Sequence, residues 1–76
     1  MLNNNIKMYR AAKNISQDQL AKIVGVTRQI ISAVEKNKYS PTLELAFKIS
    51  KVLDRTIEEV FEHYEWALLY ILLLNC

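Results

Sequence analysis

The spacing of apolar residues predicts that this chain is built from helices. In the segment QDQLAKIVGVTRQIISAVEK, residues 17–36, apolar positions recur with the period of amphipathic helices. The segment divides at Gly25, the only glycine of the chain, so we predict two helices, residues 16–24 and 28–35, joined by a tight turn. Their buried faces would be formed by Leu20, Ala21, Val24, Val26, Ile31 and Val34.

The residues at the ends of these two helices support the division. Ser16 precedes the first helix and Gln19 follows three residues later, which is the spacing of a capping box. Gly25 can take the positive φ that ends a helix without a Cβ clash, and Thr27 is suited to cap the second helix. The outward face of the second helix then carries Arg28, Gln29, Ser32 and Ala33.

Two longer helices are predicted on either side of this pair. The first spans residues 2–13 and ends before Asn14, because asparagine tolerates the left-handed conformation that terminates a helix. The other spans residues 42–53, with Ser40 as its cap and Pro41 in the first helical position, where the missing N–H of proline does no harm.

A fifth helix is predicted after Thr56, which has the spacing of a second capping box with Glu59. The apolar residues of this helix that would face inward are Ile57, Val60 and Phe61.

The last stretch, residues 63–76, permits two interpretations. As a helix it would be apolar on nearly all sides, whereas the loose alternation of residues 61–66 fits a short strand that pairs with residues 2–3 or with a second subunit. Either way, one chain alone would expose an apolar patch. We therefore expect a homodimer interface here, with a membrane surface or another protein as the alternatives. The predicted interface consists of Phe61, Tyr64, Trp66, Leu68, Leu69, Ile71 and Leu72.

Charge is distributed unevenly along the chain. The formal net charge is only +2, but residues 1–53 hold nine Lys or Arg against three Asp or Glu, and residues 54–76 hold one Arg against five acids. A basic body with an acidic end suits a protein that binds a polyanion with one face.

Several classes of function find no support in the sequence. His63 and Cys76 both lie near the C-terminus, and there is no glycine-rich phosphate loop or metal-ligand cluster, so we expect no enzymatic activity, metal or cofactor. The start of the chain lacks a signal peptide's apolar core. The apolar run 66–74 has nine residues, well short of the about 20 that cross a bilayer. We expect a cytoplasmic protein.

The two-helix unit resembles the helix-turn-helix regulators of the phage-repressor and Cro class, also called the xenobiotic-response-element family. The resemblance covers residues 5–62, and the chain departs from it after Glu62. It implies an all-α, lambda-repressor-like bundle of five helices in residues 1–62, followed by an apolar extension, residues 63–76. It is carried by Arg10, Ser16, Gln17, Leu20, Ala21, Gly25, Val26, Thr27, Arg28, Gln29, Ile31, Ser32, Glu35, Pro41, Leu45, Ile49 and Leu53.

The resemblance also implies roles for individual residues. Arg10 and Glu35 would form a largely buried ion pair that fixes the angle of the recognition helix. Base contacts are expected from the outward face, since Arg suits guanine and Gln suits adenine; these residues are Arg28, Gln29, Ser32 and Ala33. Contacts to the DNA backbone are expected from Gln17, Thr27, Lys36, Asn37, Lys38 and Tyr39.

We therefore expect a regulator of transcription, a repressor that binds double-stranded DNA as a homodimer on a palindrome, associated with the nucleoid and without a small-molecule ligand. The alternative is an antitoxin-like interaction module whose apolar tail docks on a partner protein or a membrane surface.

Overall fold

Residues 4–61 form five helices in the computed structural model, which describes these residues together with 72–73. The all-α fold class is confirmed, and the third helix has the predicted bounds. In chain order the helices are α1 (Ile6–Ala12), α2 (Gln17–Val24), α3 (Arg28–Glu35), α4 (Leu43–Leu53) and α5 (Ile57–Val60).

Both ends of α2 and the start of α3 are set by local capping interactions, as predicted. Ser16 Oγ accepts from the backbone N–H of Gln19 at 3.0 Å, and Gln19 Oε1 accepts from the Ser16 N–H at 2.8 Å. Gly25 ends α2 with φ of 81°, and Thr27 caps α3 by accepting from the Ile30 N–H at 3.3 Å. These caps satisfy N–H groups that a helix start leaves without partners.

The capping box of α5 is also present. Thr56 Oγ1 accepts from the Glu59 N–H at 3.1 Å, and Glu59 Oε1 accepts from the Thr56 N–H at 2.9 Å. The Thr56 N–H holds the pKa of the Glu59 carboxyl below its ordinary value. Because the folded pKa is lowered, this bond stabilises α5 above the ordinary carboxyl pKa, and its contribution is lost as the pH falls through the folded pKa.

The core lies where α2, α3 and α4 meet and extends to α1 and α5. Ala21 is 3% exposed, in keeping with its predicted place on the buried face of α2. The buried apolar residues are Ile6, Leu20, Ala21, Val24, Ile31, Val34, Leu45, Ala46, Ile49, Leu53, Ile57, Val60 and Phe61.

The predicted start of α1 was wrong. Residues 2–3 lie outside the described residues, but Asn4 and Asn5 are not helical, and α1 begins at Ile6. Asn4 Oδ1 accepts from the Ile6 N–H at 3.2 Å, a local bond by which asparagine competes with helix formation. The backbone of Asn4 instead forms an isolated antiparallel bridge with Phe61.

The predicted start of α4 was also wrong. Thr42, rather than Ser40, is the cap, and its Oγ1 accepts from the Leu45 N–H at 3.1 Å. Pro41 therefore precedes the cap instead of opening the helix, and it is buried. The hydroxyl of Thr42, two residues after Ser40, supplies the cap, and Pro41 is buried instead of exposed at the helix start.

Phe61 belongs to the core and not to the surface of a subunit interface. Its side chain is fully buried within the single chain, which corrects its assignment to the dimer interface and agrees with the inward orientation expected beyond α5. Its backbone is extended and forms an antiparallel bridge with Asn4, whereas the predicted pairing with residues 2–3 lies outside the described residues.

Most of the predicted C-terminal interface lies outside the described residues; this applies to Tyr64, Trp66, Leu68, Leu69 and Ile71. Leu72 and Leu73 are helical and 61% and 73% exposed. Within residues 4–61 and 72–73, no helix has the length and apolar content needed to cross a membrane.

The left-handed turn at Gly25 gives a test of the fold. Apart from the chain neighbours of Gly25, no atom of the described residues lies within 4 Å of a Cβ placed there, so the cost of Gly25→Ala comes from its positive φ alone. We expect a loss of about 1 kcal/mol of unfolding free energy in urea. Asp54→Gly is the matched control, because Asp54 caps α4 at φ of 57° and glycine relieves that conformation. Equal stability of Gly25→Ala and the wild type would contradict this account.

Candidate nucleic-acid interface

The outward face of α3 brings the predicted base-contacting residues together. Arg28 and Gln29 are exposed, and Ser32 and Ala33 are half-buried one turn later on the same face. The side chains of Arg28 and Gln29 make no hydrogen bond or ion pair with any described residue. Two exposed side chains that can recognise base edges therefore lie on the same outward face of α3.

The opposite face of α3 is anchored in the core. Ile31 and Val34 are 0% and 1% exposed. Because these residues are nearly or completely buried, α3 cannot rotate about its axis without exposing them, and the outward face keeps its orientation.

The carboxylate of Glu35, the last residue of α3, joins three helices. Arg10 Nε donates to Glu35 Oε2 at 2.8 Å, and the two side chains are only 13% and 7% exposed. Arg10 Nη2 lies 3.4 Å from Glu35 Oε1. Gln17 Nε2 donates to the same Oε1 at 2.9 Å. The predicted ion pair between α1 and α3 is thus present, and α2 joins it through Gln17.

Arg10 also fixes the connection between α1 and α2. Its Nη1 donates to the carbonyl oxygen of Ile15 at 2.9 Å. The guanidinium thereby contacts both the residue before the α2 cap and the end of α3, a use of several donors that lysine could not reproduce.

Gln17 therefore has a structural contact in addition to its predicted contact with DNA. It is half-buried at the first position of α2. With the amide nitrogen committed in part to Glu35, the first turn of α2 is held against the end of α3. Helix starts such as this one present free N–H groups that suit a phosphate.

The loop after α3 carries the remaining predicted backbone contacts. Lys36, Lys38 and Tyr39 are exposed, and neither lysine pairs with a carboxylate of the described residues. Asn37 is half-buried and has φ of 60°; asparagine takes this conformation more readily than most residues. The Lys38 N–H returns to the Ala33 carbonyl at 2.9 Å, so the loop stays close to the end of α3.

Asn4 also contacts the end of α3 and the loop after it, and this role was not predicted from the sequence. Its Nδ2 donates to the Val34 carbonyl at 2.8 Å and to Asn37 Oδ1 at 3.0 Å. The only signal was the run of three asparagines at positions 3–5, and a polar run near a terminus gives no direction for its side chains.

Nothing in the site favours metal chemistry. Across the described part of the chain, no group of three or more His, Cys, Asp or Glu could hold a metal ion. The exposed charged side chains of α3 and of the loop after it are those of Arg28, Lys36 and Lys38, and all three are cationic, which suits a polyanionic partner.

Comparison with known proteins assigns the family. The helix-turn-helix family model matches residues 6–60, which include all five helices. The chain belongs to the helix-turn-helix family. It resembles an uncharacterised helix-turn-helix-type transcriptional regulator of Methanocaldococcus jannaschii, with 52% identity over 60 residues that cover 79% of this chain and 91% of the relative.

Solved structures agree with this assignment. A putative DNA-binding protein from Bacteroides fragilis has a TM-score of 0.73 and 28% identity, covering 80% of this chain and 98% of that chain. The N-terminal DNA-binding domain of SinR from Bacillus subtilis has a TM-score of 0.64 and 35% identity, covering 70% and 78%. The helix-turn-helix family consists of transcriptional regulators rather than enzymes, in agreement with the prediction from the sequence.

The buried ion pair of this helix-turn-helix protein gives a second test. Arg10→Ala leaves the Glu35 carboxylate without its charged partner, and we expect unfolding free energy to fall by about 3 kcal/mol or more. Lys48→Ala breaks an ion pair with Glu44 in which the two side chains are 53% and 78% exposed, and it should cost less than about 1 kcal/mol. The unfolding free energies of both variants are measured by urea unfolding. Similar losses in the two variants would show that burial of the Arg10–Glu35 pair does not add to its contribution to stability.

Proposed function

We propose that this helix-turn-helix regulator binds a specific sequence of double-stranded DNA by placing α3 in the major groove. The observation that carries the proposal is the outward face of α3. Arg28 and Gln29 are exposed there and make no hydrogen bond or ion pair with the described residues, while the opposite face of α3 is buried in the core. A major groove admits one α-helix. SinR, whose DNA-binding domain shares this fold, has been solved in complex with DNA.

The side chains of α3 divide the readout among them. The guanidinium of Arg28 can donate to O6 and N7 of a guanine, and the amide of Gln29 can bond N6 and N7 of an adenine. Ser32 and Ala33 lie one turn further along, where short side chains let α3 approach the bases closely.

The surrounding residues bind phosphates and set the position of α3. On one side these are the start of α2, with Gln17, and Thr27 at the cap of α3. On the other side is the loop after α3, with Lys36, Asn37, Lys38 and Tyr39. Phosphate contacts fix register and orientation without reading sequence, and each neutralised phosphate releases counterions, so affinity should fall steeply with salt.

The regulator acts as a homodimer on a palindromic operator, in the cytoplasm and in association with the nucleoid. Two copies would place their α3 helices about one helical turn, or about 34 Å, apart along the DNA. We assign the dimer contact to the extension 63–76, which is rich in apolar residues, and repression to occlusion of the promoter by the bound dimer.

Arg28→Ala tests the readout. Loss of a bidentate base contact should weaken binding to a selected duplex about tenfold to a hundredfold, with a much smaller effect on random DNA, as measured by fluorescence anisotropy. Lys51→Ala is the control, because Lys51 carries the same charge on an exposed position near the end of α4. Equal weakening on both duplexes would make Arg28 a phosphate contact.

Deletion of residues 66–76 tests the proposed dimer contact. We expect the shortened chain to elute as a monomer in size-exclusion chromatography with light scattering, and the full chain as a dimer. A full chain that is monomeric until another protein is added would favour the alternative, an interaction module of the antitoxin kind. A dimer that survives the deletion would place the interface elsewhere.

A further inference from the structure

Asn4 uses the full donor capacity of its side chain on the end of the recognition helix. One N–H of its Nδ2 points to the Val34 carbonyl, 2.8 Å away, and the other to Asn37 Oδ1, 3.0 Å away. The carbonyl oxygen of the same amide accepts from the Ile6 N–H at 3.2 Å. A short side chain with two donors and one acceptor is needed to make all three bonds, and asparagine supplies them.

The two acceptors lie where the chain turns from α3 into the basic loop. The Val34 carbonyl also accepts from the Asn37 N–H at 3.1 Å. Asn37 is the left-handed residue of the turn, and Lys38 and Tyr39 follow it. A bond to both Val34 and Asn37 therefore restrains the backbone that carries these exposed side chains.

Asn4 is itself held by the other end of the domain. It forms an antiparallel bridge with Phe61, and the next residue, Asn5, donates its backbone N–H to the Val60 carbonyl at 2.7 Å. The Asn5 Nδ2 donates to the Glu59 carbonyl at 3.0 Å. The segment before α1 is thus fixed on the end of α5, and Asn4 connects that fixed point to the loop.

We propose that Asn4 is a positioning residue for DNA binding: through Val34 and Asn37 it holds the loop 36–39 in the conformation that meets the phosphates. This inference rests on the proposed function. Asn4 touches no base and no phosphate in this account, and it acts by reducing the number of conformations that the loop must give up on binding. Aspartate would not replace it, because a carboxylate would face two acceptors with no donor.

Amide hydrogen exchange tests the contact without DNA. In Asn4→Ala the Lys38 N–H, bonded to the Ala33 carbonyl at 2.9 Å, should exchange about tenfold faster, since local opening of the loop becomes easier. The Leu20 N–H in α2, bonded to the Ser16 carbonyl at 3.0 Å, should keep its rate. An unchanged rate at Lys38, or an equal increase at both positions, would overturn the inference.

Binding measurements then test the link to DNA. Asn4→Ala should weaken binding to selected and random duplexes alike, by about tenfold, and should make the dependence of log affinity on log salt shallower, as expected when phosphate contacts are lost. Asn14→Gly is the control, because Asn14 is exposed at φ of 57° and glycine suits that conformation, and the salt dependence should stay at the wild-type slope. Loss of slope in both variants, or in neither, would contradict the assignment.

A second variant keeps the test decisive if Asn4→Ala does not fold. Asn37→Gly removes the acceptor Oδ1 but suits φ of 60°, and it should also flatten the salt dependence. An unchanged slope in Asn37→Gly would contradict the proposal. Where Asn4→Ala does fold, the double variant should lose less affinity than the two single variants together in a double-mutant cycle, and additive losses would refute the coupling. If the wild type binds no duplex DNA, the proposed function and the positioning role of Asn4 are both refuted. If the wild type binds DNA and Asn4→Ala binds it equally well, only the positioning role of Asn4 is refuted.

Discussion

The carboxylate of Glu35 sets the geometry on which the rest of this structure depends. It is nearly removed from water, and it receives hydrogen bonds from Arg10 of α1 and Gln17 of α2. A buried charge is tolerated only when its partners are in place. The three helices therefore cannot change their mutual angles without leaving that charge unpaired. The bonds to Glu35 thereby fix the helix orientations more precisely than the contacts of the small apolar core would do alone.

The same constraint separates two kinds of residue in α3 and around it, where we propose that DNA binds. Residues that set the position of α3, such as Arg10, Ile31 and Val34, are largely buried, whereas Arg28 and Gln29 are exposed. Substitutions at the exposed positions can change the sequence that is read with little effect on folding. A fold of this kind can serve many operators with one framework, since the reading residues carry little of its stability.

Prediction from sequence succeeded where the signals are local. The capping box at Ser16 and the left-handed Gly25 marked the two ends of α2, and the cap at Thr27 marked the start of α3, because each cap bonds within one helical turn. It failed where partners are distant in sequence. Asn4 bonds residues 30 and 33 positions away, and such contacts leave no periodic pattern in the chain. Phe61 was expected both to face inward and to lie in a dimer interface, and its burial supports only the first. The pairing of Arg10 with Glu35 was obtained from family resemblance and not from spacing.

The antiparallel bridge between Asn4 and Phe61 means that the polypeptide enters and leaves this folded unit at one point. All five helices lie between these two residues in the sequence. The two residues are neighbours in space although 56 residues separate them along the chain. A module with adjacent ends can be inserted into a host loop, or rejoined in a new order, without stretching its interior. The bridge gives the five helices the adjacent ends that such an insertion requires.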